Sequence, residues 1–145
     1  MPVFAIEGPE DPDIPLVIDS PHSGETYPPD FTPEVGPERY RRAEDSFVDR
    51  LYADAPVLGV PLLKALFPRI YVDVNRARSD IAAASVTGPL PFTPDPSAKA
   101  ALGKGVIWMQ APPPPELTDL YAAPLDAAAV IHRLDTYWTP YRDAL

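Results

Sequence analysis

The sequence contains no cysteine, so disulfides, thiolate nucleophiles and cysteine-based metal sites are excluded. It has two histidines, His22 and His132, so chemistry that needs an imidazole must use one of these two positions. Basic residues are scarce: 12 Lys and Arg stand against 21 Asp and Glu, for a formal net charge of −9. Phosphate contacts need a basic surface, so a nucleic-acid partner is not expected. No apolar run approaches the roughly 18 residues of a membrane span, and no membrane partner is expected. The N-terminal MPVFAIEGPEDPD lacks the basic region and long apolar stretch of a secretory signal. A cytoplasmic location is expected.

Proline, by contrast, is plentiful, at 22 residues. Pro28-Pro29, Pro89, Pro91, Pro94, Pro96 and the run Pro112 to Pro115 point to short elements joined by stiff connections. The run Ala111 to Pro115 reads as a connection within the domain, with an extended ligand for an aromatic groove as the alternative. A chain of 145 residues, 46% hydrophobic and 10% aromatic, suits one packed domain rather than an acidic disordered segment.

Residues 13–24, DIPLVIDSPHSG, are the focus of the chain. Ile14, Leu16, Val17 and Ile18 have the length and branching of a buried strand. Pro21 and Gly24 stop that strand and force a turn. Asp19, Ser20, His22 and Ser23 therefore cluster at a strand end, which is where open α/β sheets bind ligands. His22 is the leading candidate for chemistry. Upstream, Val3, Phe4 and Ile6 read as a short strand or arm. The proline-rich loop 24–37 either walls a pocket beside His22 or crosses the surface.

The spacing of Tyr40, Ala43, Phe47, Leu51 and Ala55 predicts a helix over 38–56 with one buried stripe. Its carboxylates read either as site residues or as a solvated face paired with arginines. Residues 58–65 read as a strand, and Ile70 to Val74 as a second one running into Asn75-Arg76. On that strand Tyr71, Asp73 and Asn75 share one face. Arg69, Asp73, Asn75, Arg76 and Arg78 crowd into ten residues. Such a cluster suits a carboxylate ligand gripped by a guanidinium fork, or an Asp–Arg pair that fixes a turn. Residues 79–103 show little regular pattern. Gly105 to Trp108 reads as a short strand, and 123–138 as a helix with Leu125, Ala128, Ala129, Ile131, Leu134 and Trp138 on one stripe. His132 faces solvent on it, and Pro140 is expected to interrupt it.

These segments together resemble the N-formylglutamate amidohydrolase (N-formylglutamate deformylase) family. The resemblance is carried by Ser20-Pro21-His22-Ser23-Gly24 with Pro28-Pro29, by Asp45 with Val48-Asp49-Arg50-Leu51-Tyr52, and by Leu58-Gly59. It continues through Arg69-Ile70-Tyr71-Val72-Asp73-Val74-Asn75-Arg76, Gly105-Val106-Ile107 and Tyr137-Trp138-Thr139-Pro140-Tyr141. It implies a three-layer α/β/α fold with a mostly parallel or mixed sheet, akin to zinc-dependent exopeptidases. It also implies hydrolysis of the N-formyl or related N-acyl amide of an acidic amino acid, with a place in histidine catabolism. The expected cofactor is Zn2+ or another divalent metal. His22 would be a metal ligand, with Asp45 as the carboxylate ligand and Glu44 as its alternative. Arg69, Asn75, Arg76 and Ser23 would face the substrate. The family pattern places a further histidine and the catalytic carboxylate beyond residue 145, and Arg142 stands where the family has a histidine. The chain is thus expected to be a single domain, 1–145, truncated at its C-terminus. It would be a fragment of an enzyme, an inactive relative that binds a small carboxylate, or a half-site completed in trans.

Overall fold

The computed structural model describes residues 2–112 and 116–145. The chain is a mixed α/β protein of short elements. Strand β1 (Phe4–Glu7), β2 (Ile18–Ser20) and β3 (Leu62–Ala65) form a three-stranded sheet with β3 in the middle. β1 is antiparallel to β3, pairing Phe4 with Ala65, and β2 is parallel to it, pairing Ile18 with Leu62. Two minor sheets join β4 (Val86–Thr87) to β7 (Leu125–Asp126) and β5 (Gln110–Ala111) to β6 (Thr118–Asp119). The helices are α1 (Pro37–Tyr40), α2 (Val48–Leu51), α3 (Ala98–Ala101), α4 (Ala127–Arg133) and α5 (Thr139–Ala144). Among the described residues no helix is long and apolar enough to cross a membrane.

The main core joins Leu63, Phe67, Tyr71, Val72 and Val74 to Ile81, Val106, Ile107, Val130, Leu134 and Tyr141. Phe67 and Tyr71 both pack edge-on against Tyr137, at 5.0 and 5.1 Å between ring centres. Such edge-to-face pairs add about 0.5–1.5 kcal/mol each beyond their buried area. A smaller cluster gathers Ala43, Ile70, Trp108, Ala111 and Leu120.

Several elements differ from the sequence expectation. The strand expected from Ile14 is confined to Ile18–Ser20, and Ile14, Leu16 and Val17 are exposed. Pro15 cannot extend a ladder, and only Ile18 onward finds β3 as a partner. Ile70 to Val74 is not a strand, although all five residues are buried. Its β-branched run looks like a strand because it is surrounded by core. Its backbone instead bonds to other loops, Asp73 N–H donating to Val106 O at 2.7 Å. Gly105 to Trp108 is likewise buried loop, with one bridge between Lys104 and Trp108. A Cβ on Gly105 would fall 2.2 Å from Asp80 O, so only glycine lets this segment lie against that loop.

The single helix expected over 38–56 is broken into α1, a 3₁₀ turn at Arg41–Ala43, α2 and another 3₁₀ turn at Pro56–Leu58. Glu44 is extended (ψ 136°) and Phe47 is left-handed (φ 68°). The break lets Asp45 N–H bond to His22 O at 3.2 Å, so tertiary contact overrides helical spacing. The helix expected over 123–138 begins only at Ala127, capped by Asp126, and passes through a π turn at Leu134–Trp138. Pro140 does not stop it. It falls in the first turn of α5, where its missing N–H is tolerated. The buried stripe is Ala127, Val130, Leu134, Tyr137 and Tyr141; of the expected stripe Leu134 is in it, Leu125 and Trp138 pack against its core, and Ala128 is exposed. In the proline run, Pro113 to Pro115 lie outside the described residues.

Candidate active site

β2 ends at Ser20, and the next four residues lead to Gly24, which lies against the Leu66–Phe67 backbone just after β3. Gly24 is required there: a Cβ would lie 2.4–2.5 Å from the backbone of Leu66 and Phe67. That close approach buries His22 and Ser23, each 7% exposed. Ser23 Oγ shares a 2.8 Å hydrogen bond with Ser20 Oγ, fixing the turn.

Each nitrogen of His22 faces a carboxylate. Nε2 lies 2.8 Å from Asp73 Oδ1, and Nδ1 lies 3.1 Å from Asp45 Oδ2. The two aspartates differ in setting: the Asp73 side chain is fully buried, whereas that of Asp45 is 48% exposed. Arg69 spans both, with Nη1 3.2 Å from Asp45 Oδ2 and Nη2 3.2 Å from Asp73 Oδ2. Asp73 also accepts the Asn75 N–H at 3.0 Å. Burial alone would push the Asp73 carboxyl up. The hydrogen bond and charge of His22, the charge of Arg69 and the Asn75 N–H outweigh it, holding the carboxyl below its ordinary value.

The remaining sequence candidates divide. Glu44 turns away from His22: its buried carboxylate is bonded to Tyr27 OH and paired with Arg41 at 3.3 Å. Of the two neighbours, Asp45 is the one brought to His22. Arg76 approaches Asp73 at 3.8 Å, and Asn75 is exposed beside it. His132 is exposed on α4 and lies 3.3 Å from Thr136 Oγ1. Three buried charges are not anticipated from sequence as a partner or a core residue: Asp73, Arg133, and Asp80, which accepts the Ser97 N–H at 2.7 Å. Asp73 holds His22, and the signal was there: a lone carboxylate between Val72 and Val74 in an apolar run needs a partner. Arg133 is 2% exposed, lies over the Tyr71 ring at 4.2 Å and donates to Tyr121 OH at 2.9 Å. On a helix it reads from sequence as an ordinary surface charge.

The donor set bears on a metal. A neutral imidazole has one N–H and one lone pair, whereas both carboxylates facing His22 are acceptors. Asp73, nearer and buried, takes the N–H. The lone pair at Nδ1 then meets Asp45, which needs either a second proton or a cation between them. A metal-bound histidine commonly donates its other N–H to a carboxylate, as His22 does to Asp73. His22 Nδ1 and Asp45 therefore fit as two ligands, while among the described residues no group of three or more His, Asp or Glu is arranged to hold a metal ion.

A mixed α/β scaffold that holds a histidine between carboxylates at a strand end is a framework used by hydrolytic enzymes. The profile of the N-formylglutamate amidohydrolase family matches residues 14–145, and the chain belongs to that family of amide hydrolases. It is also similar to the crystal structure of N-formylglutamate amidohydrolase from Ralstonia eutropha JMP134, with 43% identity and a TM-score of 0.91. The match covers 99% of this chain and 50% of that one, so this chain spans half the length of its solved relative. No curated protein matches the chain.

Proposed function

We propose that this chain supplies the histidine–aspartate part of a metal-dependent amidohydrolase site that cleaves the N-formyl, or a related N-acyl, amide of an acidic amino acid such as N-formylglutamate. The carrying observation is His22 held by buried Asp73 with its second nitrogen 3.1 Å from half-exposed Asp45. Family membership and the 43% identical relative support the reaction class. We also propose the three-layer, exopeptidase-like arrangement for the whole enzyme, with the three-stranded sheet as one part of it.

His22 and Asp45 would hold the divalent cation, with zinc the best match to a nitrogen and oxygen donor pair. Bound there, a cation supplies Lewis acidity toward the amide carbonyl and acidifies a water. The chain's own residues do the positioning. Asp73 fixes the tautomer and plane of His22. Arg69 braces both aspartates and keeps its positive charge beside the reacting amide, where negative charge develops. Arg76, bound only loosely to Asp73, is free to meet a substrate carboxylate.

One observation favours a second reading. Arg69 already neutralises Asp45 from 3.2 Å, as a relative without turnover that binds a small carboxylate would tolerate. One experiment separates the two. Zinc is titrated calorimetrically into the wild-type chain and into His22→Ala, with N-formylglutamate hydrolysis followed alongside. The expected result is zinc uptake by the wild type, lost in the variant. Equal uptake by both, or none by the wild type, refutes the metal assignment. Binding of N-formylglutamate by a wild-type chain that takes up no zinc establishes the second reading.

A further inference from the structure

Arg69 also lines a cavity of about 360 Å³, together with Arg76, Lys99, Leu102, Lys104 and Trp108. That volume suits a small ligand. Four of the six lining residues are cations and none is a carboxylate. In a chain of net charge −9 this is a local reversal of sign, and it attracts anions whatever the total charge. Arg69 is committed to Asp45 and Asp73, and Arg76 reaches Asp73 only at 3.8 Å. Among the described residues neither Lys99 nor Lys104 is ion-paired.

Trp108 supplies an independent observation. It is 6% exposed, and its indole N–H is buried without a hydrogen-bond partner. An indole N–H only donates, so the partner it lacks is an acceptor. The ring lies under Arg69 at 5.2 Å and Lys104 at 5.7 Å, so two cations meet over one aromatic face at the cavity wall. The bridge between Lys104 and Trp108 fixes that lysine in place, and Lys104 N–H bonds to Lys99 O at 2.9 Å. Sequence reading gave these residues no role.

We propose that this cavity holds the second carboxylate of a dianionic substrate, the side-chain carboxylate of an N-acyl dicarboxylic amino acid, and that Lys104 and Lys99 select it over a monoanion. The identity of the reacting end rests on the amidohydrolase reading; the carboxylate selectivity does not. Because Arg69 belongs to both places, a ligand seated against the lysines has its other end directed to the His22 site.

Glutarate and butyrate differ by one carboxylate and need neither an amide nor turnover to bind. They are titrated calorimetrically against the full chain, with tryptophan fluorescence as a second readout. Glutarate is expected to bind at least about tenfold more tightly than butyrate, as a charge-assisted hydrogen bond supplies. Lys104→Gln removes most of that preference and Lys99→Gln part of it, each weakening glutarate more than butyrate, and Lys104→Arg restores it. Unfolding midpoints verify the variants, and if Lys104→Gln fails to fold, exposed Lys99→Gln carries the comparison. Equal affinities in the wild type, or variants that weaken both ligands alike, overturn the proposal. Zinc titration run beside the glutarate and butyrate titrations keeps the two readings apart. Absent zinc uptake with glutarate selectivity retained refutes only the amidohydrolase reading, and zinc uptake without glutarate selectivity refutes only this inference.

Discussion

Residues 45–58 and residues 62–74 are both rich in apolar side chains, and each delivers one aspartate to His22. Their settings are opposite. In the first segment only Ala55 is buried, and Leu51, Val57 and Leu58 are 80%, 86% and 71% exposed. In the second no residue is exposed, and Ile70, Tyr71, Val72 and Asp73 are fully covered. The buried segment sets Asp73 at a fixed distance from Nε2. The exposed one leaves Asp45 half in water. Holding a histidine rigid and leaving one of its nitrogens reachable call for these two kinds of backbone, a core segment behind the ring and a surface segment in front of it. The comparison also shows what apolar content does not decide. Burial depends on whether another part of the chain covers a side chain, and the core that includes Ile107, Tyr137 and Tyr141 takes in residues of the second segment and none of the first.

The largest expected effect comes from breaking the buried side. Asp73→Ala strips His22 Nε2, Arg69 and the Asn75 N–H of their common acceptor. Removing one partner of a buried charged pair costs about 3–5 kcal/mol. Urea unfolding of the variant measures it. A loss under about 1 kcal/mol, the range of exposed pairs, would mean that Asp73 is hydrated in solution and that the contrast between the two segments is not real.

Much of the site was legible from residue types. The turn Ser20 to Gly24, the scarcity of histidine, and the cluster Arg69 to Arg76 all mark places that the fold brings together. Less of the local structure was legible. Ile70 to Val74 carries a strand's composition but is a buried loop, because β-branched residues report burial on both sides as readily as they report pairing. The stripe from Tyr40 to Ala55 has a helix's spacing but is broken at Glu44, because the bond from Asp45 N–H to His22 O is a contact between distant residues. Sequence periodicity describes one segment at a time. The meeting of Lys99 and Lys104 with Arg69 and Arg76 around one cavity is likewise visible only once distant segments are placed.

The exposed side is expected to behave differently from Asp73 in both stability and binding. Asp45 is 48% exposed, and its pairs with His22 and Arg69 are open to solvent. Asp45→Ala should therefore cost no more than about 1 kcal/mol of stability. Its effect on zinc affinity should be far larger, more than about 100-fold, since even partners that only support a ligand are worth about 10–100-fold. Parallel unfolding and metal titration of the one variant read both quantities. An unfolding cost like that of Asp73→Ala would place the two aspartates in the same environment, and an unchanged zinc affinity would remove Asp45 from the ligand set.

The smallest expected effect sharpens the comparison most. Leu58 is 71% exposed on the 3₁₀ turn before β3, so truncating it removes few contacts. Leu58→Ala should change the unfolding free energy by no more than about 0.5 kcal/mol, as surface substitutions do. Leucine truncation in a packed core costs about 2–5 kcal/mol instead. A loss in that upper range, measured at low protein concentration by urea unfolding, would show that the Leu58 side chain is covered in solution. If the loss also grew with protein concentration, the cover would come from a second copy of the chain, since only association depends on concentration. A loss that stayed within 0.5 kcal/mol at every concentration would leave residues 45–58 as an open apolar surface, with Asp45 as its one member tied to the site.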